Sequence, residues 1–226
     1  RNKLDVLIDF SLENFQWVAK SSSDIPNAYA ESLIEYMRST FAYLAPMDEG
    51  SRAGLHFSCC GHVAERLVRL LADVSSKGVM DSGRQMGGQS VHGSSGLSPL
   101  SKIDAFGLNN LSVDVVEFEN FANATGVSQL GECFNELSTI CTAMLDRDLP
   151  ALLQIENVSA RRKKYPFLSL EKVGNILEKY VGTGGMAMGA MGPMGDRLKS
   201  DRKNHNLKIL MLKKNEIPLL IKLCRM

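Results

Sequence analysis

No stretch of this chain approaches the run of about 18 to 20 consecutive apolar residues that a membrane-spanning helix needs. Any contact with a bilayer is therefore peripheral or made through another protein. Charge of one sign is missing too: 26 Lys and Arg stand against 25 Asp and Glu, a net +1. That balance excludes the strongly basic surface of a dedicated nucleic-acid binder. Cysteine is sparse and unpatterned. Cys59, Cys60, Cys133, Cys141 and Cys224 form an odd set without a CxxC, which reads as free thiols in a reducing cytosol. The chain opens on Arg1-Asn2-Lys3 and is in an apolar pattern by Leu4, with no secretory signal, so it reads as the C-terminal part of something longer. Catalytic signatures are absent as well: there is no GxSxG, no HExxH and no GxxxxGK[ST]. His56, His62, His92 and His205 stand in no recognisable triad. The sequence therefore predicts no enzyme, no catalytic residue and no cofactor.

What is present is helical periodicity. Leu4, Leu7, Ile8, Leu12, Phe15 and Val18 recur at steps of three and four and predict an amphipathic helix over 4–18. Asp24 and Pro26 offer an N-cap and a first-turn proline for a second helix, whose stripe is Tyr29, Leu33, Met37, Phe41 and Leu44. After Pro46 and Gly50 a third follows through Val63, Leu67, Leu70, Leu71 and Val74. Residues 78–101 are rich in Gly and Ser and too poor in apolar groups to offset their ordering entropy, which predicts a flexible loop.

The pattern resumes over 103–121 with Leu108, Leu111, Val115 and Phe118. It returns over 127–145 with Leu130, Phe134, Leu137, Cys141 and Met144, and these two helices are expected to pair. A short piece over 149–158 leads to a helix begun by Ser169 and carried by Val173, Ile176, Leu177 and Tyr180. Leu207, Ile209, Leu210, Leu212, Ile217, Leu219, Leu220 and Leu223 suggest a last helix with Pro218 as kink or boundary. No segment alternates with period two for long, so the fold reads all-α. The expected division is 1–77, a loop over 78–102, and 103–226 containing a Gly/Met-rich linker over 182–196.

Four features carry a chemical reading beside a bland one. His56 and Cys60 lie one helical turn apart and have the donor types for a metal; without a second Cys/His cluster to complete a tetrahedron, core packing is preferred and no metal is expected. Met186, Met188, Met191 and Met194 offer thioethers to a soft ion. They lie in a glycine run without Cys or His, and a linker is the expected role. Asp114, Glu117 and Glu119 form an acidic cluster that reads as a solvated helix face. Arg161, Arg162, Lys163 and Lys164 are either a solvated loop or a contact for anionic lipid or an acidic protein.

The order of several phrases adds to this. Leu44-Ala45-Pro46-Met47-Asp48 before a helix is followed by LSVDVVEFENFAN (111–123), CFNELSTICTAML (133–145) and YPFLSLEKVGNILEKY (165–180). Together they resemble the C-terminal region of the exocyst component six family, the Sec-fifteen subunit of the vesicle-tethering exocyst, and its plant-type members most. Residues 78–101 look like an insertion relative to that family, and KKNEIPLLIKLCRM resembles its final helix only loosely.

The resemblance implies stacked antiparallel helical bundles forming part of a rod. It also implies a function by recognition: tethering secretory vesicles to the plasma membrane by binding a GTP-bound Rab-type GTPase, other exocyst subunits, or both. A purely structural scaffold fragment and a peripheral module for anionic membrane are the alternatives. The protein would be cytoplasmic and recruited to vesicles and exocytic sites of the plasma membrane. On the 111–123 helix, Val113, Val116, Asn120 and Phe121 lie off the main apolar stripe, framed by Asn109, Glu117 and Asn120. They form either a second core layer or a docking patch.

Overall fold

Helix boundaries in the computed structural model, which describes residues 2–13, 15–73, 100–181 and 212–226, follow from capping chemistry more than from apolar periodicity. The first helix, α1 (Asn2–Leu12), buries Leu4, Ile8 and Leu12 one turn apart. It stops short of the Val18 that the periodicity predicts. Beyond Leu12 the Phe15 and Trp17 rings pack against each other with centroids 4.3 Å apart, and Phe15 meets Tyr29 edge-on. The backbone must leave the helix to let both rings turn inward.

Helix α2 (Ala28–Tyr43) starts after Asn27 rather than after Asp24. Its N-cap residue is held by a distant carboxylate described below. Helix α3 (Glu49–Ala72) is capped by Asp48, whose carboxylate accepts from the Ser51 N–H at 2.9 Å. Its buried stripe contains Val63, Leu67 and Leu71 of the predicted set, joined by Cys60, Ala64 and Val68, while Leu70 is only half-buried and Val74 lies outside the described residues.

Helix α4 (Ala105–Ala124) is the axis of the molecule. Leu108, Leu111, Val115, Phe118 and Ala122 are buried along one face. Gly126 (φ 77°) and Gln129 (φ 63°) then take left-handed backbone conformations. These two residues delay the helix expected over 127–145 until Leu130, where it begins as a 3₁₀ turn (Leu130–Phe134) that runs on into α5 (Asn135–Met144). The delay lets Phe134 stack on Phe118 of α4, centroids 5.4 Å apart. Short helices α6 (Leu149–Leu152) and α7 (Val158–Lys164) follow, with a 3₁₀ turn (Ile155–Asn157) between them. The basic run thus lies on a helix, not a loop.

Helix α8 (Leu170–Lys179) begins at Ser169, whose hydroxyl accepts from the Lys172 N–H at 3.4 Å. Helix α9 (Ile217–Cys224) carries Pro218 in its first turn, where a missing N–H costs nothing. It packs on α8, the Cys224 Cβ lying 3.2 Å from where a Cβ on Gly174 would sit.

Among the described residues there is no strand, although an isolated parallel bridge joins Ile103 and Tyr180, and the fold is all-α. Buried residues from α1 through α9 join one hydrophobic cluster. Of the expected loop over 78–101 only Leu100 and Ser101 are described, and Leu100 is buried in the core; residues 78–99, the linker over 182–196 with its methionines, and the apolar positions Leu207, Ile209 and Leu210 lie outside the described residues.

Buried polar groups on α4 fix how the elements meet. Asp104 caps α4, accepting from the Gly107 N–H at 2.7 Å, and accepts at the same oxygen from the Ala19 N–H at 3.3 Å. Asn110 accepts from the Ser23 N–H at 2.6 Å. Asp114 accepts from the Asn27 N–H at 2.7 Å and from the Asn27 side-chain amide at 3.0 and 2.9 Å. Asp114 is therefore not part of a solvated acidic face. It is fully buried, and burial pushes its pKa up against the opposing pull of the Asn27 hydrogen bonds. At the other end of the core, the buried Lys179 ammonium donates to the Leu71 carbonyl at 2.8 Å and the Asp73 carbonyl at 2.5 Å. It closes the C-terminal end of α3, where a cation is favoured.

A candidate protein-interaction surface

With one face of α4 in the core, its opposite face carries the side chains singled out from the sequence. Val116 and Asn120 are exposed; Asn109, Val113 and Glu117 are half-buried. Their positions, spaced by three and four, form one continuous outer stripe. Phe121 departs from this group: it is only 8% exposed and lies against Phe41, ring centroids 5.6 Å apart. Val116, at 49% exposure, is the largest apolar side chain that α4 leaves open.

Beside this stripe runs a groove of about 600 Å³ between the end of α2, the start of α3 and the end of α4. Its aromatic floor is a stack of three rings. His56 lies flat on Phe41 (3.7 Å between centroids, 18° between planes), and Phe41 in turn faces Phe121. Among the described residues neither ring nitrogen of His56 has a hydrogen-bond partner, although the residue is only 5% exposed. Burial, reinforced by the charge of Arg52, lowers the His56 pKa and keeps the ring neutral. Arg38 stands over the Phe121 ring, 6.0 Å from its centroid. Glu117 and Asn120 form the rim on the α4 side, their side chains 3.5 Å apart. No periodic signal in the sequence joins Arg38, Phe41, Arg52, His56 and Phe121, which come together only through the crossing of three helices.

The basic run divides into two pairs. Arg161 donates to the Leu152 carbonyl at 3.0 Å and so ties α7 to the end of α6. Lys164 bonds Asp146 at 2.6 Å and lies 3.6 Å from Asp148, which raises its pKa. Burial pushes Asp146 upward, but the Lys164 and Tyr165 hydrogen bonds outweigh it and leave the carboxyl below its ordinary range. Arg162 and Lys163 are exposed.

His56 and Cys60 lie one turn apart on α3, as their spacing requires, and both are buried. His62 is turned instead toward Asp5 of α1 at 2.7 Å. Among the described residues no three His, Cys, Asp or Glu side chains converge as a metal would require. Burial pushes the Cys60 and Cys141 thiols up to about 12 and Cys224 to about 11. Cys59 and Cys133 are raised too, again by burial. All five are thiols rather than thiolates near neutral pH. Among the described residues no helix is long and apolar enough to cross a membrane.

No family model, no curated protein and no solved structure matches the chain.

Proposed function

We propose that this chain is the C-terminal helical region of an exocyst subunit and works by recognition, binding a GTP-bound Rab-type GTPase and neighbouring exocyst subunits as vesicles are tethered at the plasma membrane. The sequence phrases over 44–48, 111–123, 133–145 and 165–180 motivate the reading. The single structural observation that supports it is the two-sidedness of α4. Its inner face is wholly committed to the core, while its outer stripe presents an exposed valine framed by Asn109, Glu117 and Asn120. An apolar centre with a polar rim is the usual composition of a small recognition surface. In this reading the helices belong to a rod of stacked bundles, and the protein is cytoplasmic and drawn to vesicles through its GTPase partner. The switch then lies in the partner, whose loops are ordered by the γ-phosphate.

Affinity measurements against a panel of Rab proteins in both nucleotide states test this. The expected result is GTP-dependent binding that Val116→Asp weakens at least about tenfold. Absent or nucleotide-independent binding removes the effector role.

A further inference from the structure

The groove between α2, α3 and α4 has three features that no element of the fold uses. The first is His56. A neutral imidazole carries one N–H donor and one acceptor, and here both nitrogens are shut from solvent without a partner among the described residues. Polar groups this deeply buried are nearly always hydrogen-bonded, and this one borders an open groove.

The second is the cationic rim. Arg38 lies over the Phe121 ring and pairs with Glu35, one turn away on the exposed side of α2, an ion pair of the kind that contributes little. Arg52 gives one N–H to the Ala45 carbonyl at 3.1 Å and keeps four further donors. Glu117 is the single carboxylate among the lining residues, so cations outnumber anions two to one.

The third is the bed. Ala42, Ala45 and Ala124 are all exposed and leave space for a larger side chain beside Phe41 and Phe121.

We propose that this groove docks a polypeptide segment of a partner that places a carboxylate next to a bulky apolar side chain. The carboxylate sits toward Arg38 and Arg52, beside the His56 ring that forms part of the floor. The apolar side chain fills the alanine bed against the aromatic floor. Glu117 repels a second carboxylate at the α4 rim and so sets the direction in which the segment lies. Arginine suits the task because its planar fork matches a carboxylate with two parallel hydrogen bonds. This inference rests on the reading of the chain as a partner-binding module and names the chemistry that one of its surfaces accepts. It does not depend on which GTPase, if any, meets the outer stripe of α4.

The test is a nuclear magnetic resonance titration of the whole 226-residue chain with the N-acetylated, C-amidated peptide Gly-Glu-Leu-Phe-Glu-Gly, and with its counterpart in which both glutamates are glutamine. The expected result is saturable shifts of the His56 ring and of Ala42, Ala45 and Ala124 with the acidic peptide. Affinity should be at least about tenfold weaker for the glutamine peptide and for the double variant Arg38→Gln, Arg52→Gln. His56→Phe, which keeps the ring stack, should leave the preference for the acidic peptide in place. Equal binding of the two peptides, shifts confined to other surfaces, or no saturable shift at millimolar peptide would each overturn the proposal. The two readings fail separately. Peptide docking without Rab binding removes only the effector role; Rab binding without acidic preference in the groove removes only this inference.

Discussion

Gly107 sits where the first turn of α4 meets the backbone of Trp17. A Cβ there would drive into the Trp17 carbonyl oxygen, and that carbonyl is held in place by the Asp104 N–H at 3.1 Å. Neither side can yield as a flexible side chain would. Gly107→Ala should therefore cost about 3 kcal/mol, read as a lowered midpoint in urea denaturation, whereas Gly54→Ala, with open space around it, should be neutral or stabilising. His56 supplies a second residue-scale expectation with a defined sign. Its folded pKa lies below the ordinary 6.5, so above that value both states hold a neutral ring and no stability depends on it. As pH falls below about 6.5 the unfolded chain takes up the proton first, and stability is lost through the window down to the folded pKa. Thermal melts between pH 7.5 and 5 should show this loss in the wild type, and a shallower slope in His56→Phe. Equal slopes would place the titration elsewhere.

At the scale of elements, two buried polar contacts decide how helices end and begin. Asp114 satisfies both the main-chain and side-chain N–H groups of Asn27, so Asp114→Ala leaves three donor contacts unmet and should destabilise by about 3 kcal/mol. Asp114→Asn retains an acceptor and should cost clearly less, and circular dichroism with denaturant would rank the two. Lys179→Met keeps the aliphatic stem but withdraws the ammonium from the Leu71 and Asp73 carbonyls. Its expected cost is about 2 kcal/mol, with hydrogen exchange accelerated in the last turn of α3.

These contacts also mark the limit of what the sequence made legible. The inner stripe of α4, the stripe of α3 and the Ser169 cap were readable because side chains at helical spacing meet the same neighbour. The early end of α1, the start of α2 after Asn27 and the delay after Gly126 were not. Each depends on a residue more than a turn away in space, such as Asp114 or Phe118. The buried Asp114 looked like one of three solvated acids because a local window holds no sign of the Asn27 main-chain and side-chain donors brought to it from 87 residues away. The outer stripe of α4 was legible as a set of positions, but the groove beside it was not, since its rings come from three separate helices.

For the whole molecule, the expectation is that the outer surface of α4 is separable from stability. Val116 is half exposed and makes no part of the core. Val116→Asp should change unfolding free energy by less than about 0.5 kcal/mol while abolishing whatever binding the stripe supports. A large loss of stability would mean that the stripe is part of the packing. Helix α9 behaves in the opposite way: Ile217, Leu220 and Cys224 are buried, and removing residues 212–226 should expose the surface of α8 they cover. Loss of several kcal/mol and new binding of a hydrophobic dye would report it.

The hydrogen bonds from Ala19, Ser23 and Asn27 to α4 span separations of 85, 87 and 87 residues, and this has a consequence for the order of assembly. During synthesis the segment ahead of α2 emerges long before the acceptors that satisfy it. Helix α2 can form early, but its entry stays unlatched until Asp114 has left the ribosome and α4 has formed. Closing so long a loop is the slow kind of step in folding. Refolding of Asp114→Asn should therefore be slowed at the final phase while early helix formation, followed by far-ultraviolet circular dichroism, keeps its rate.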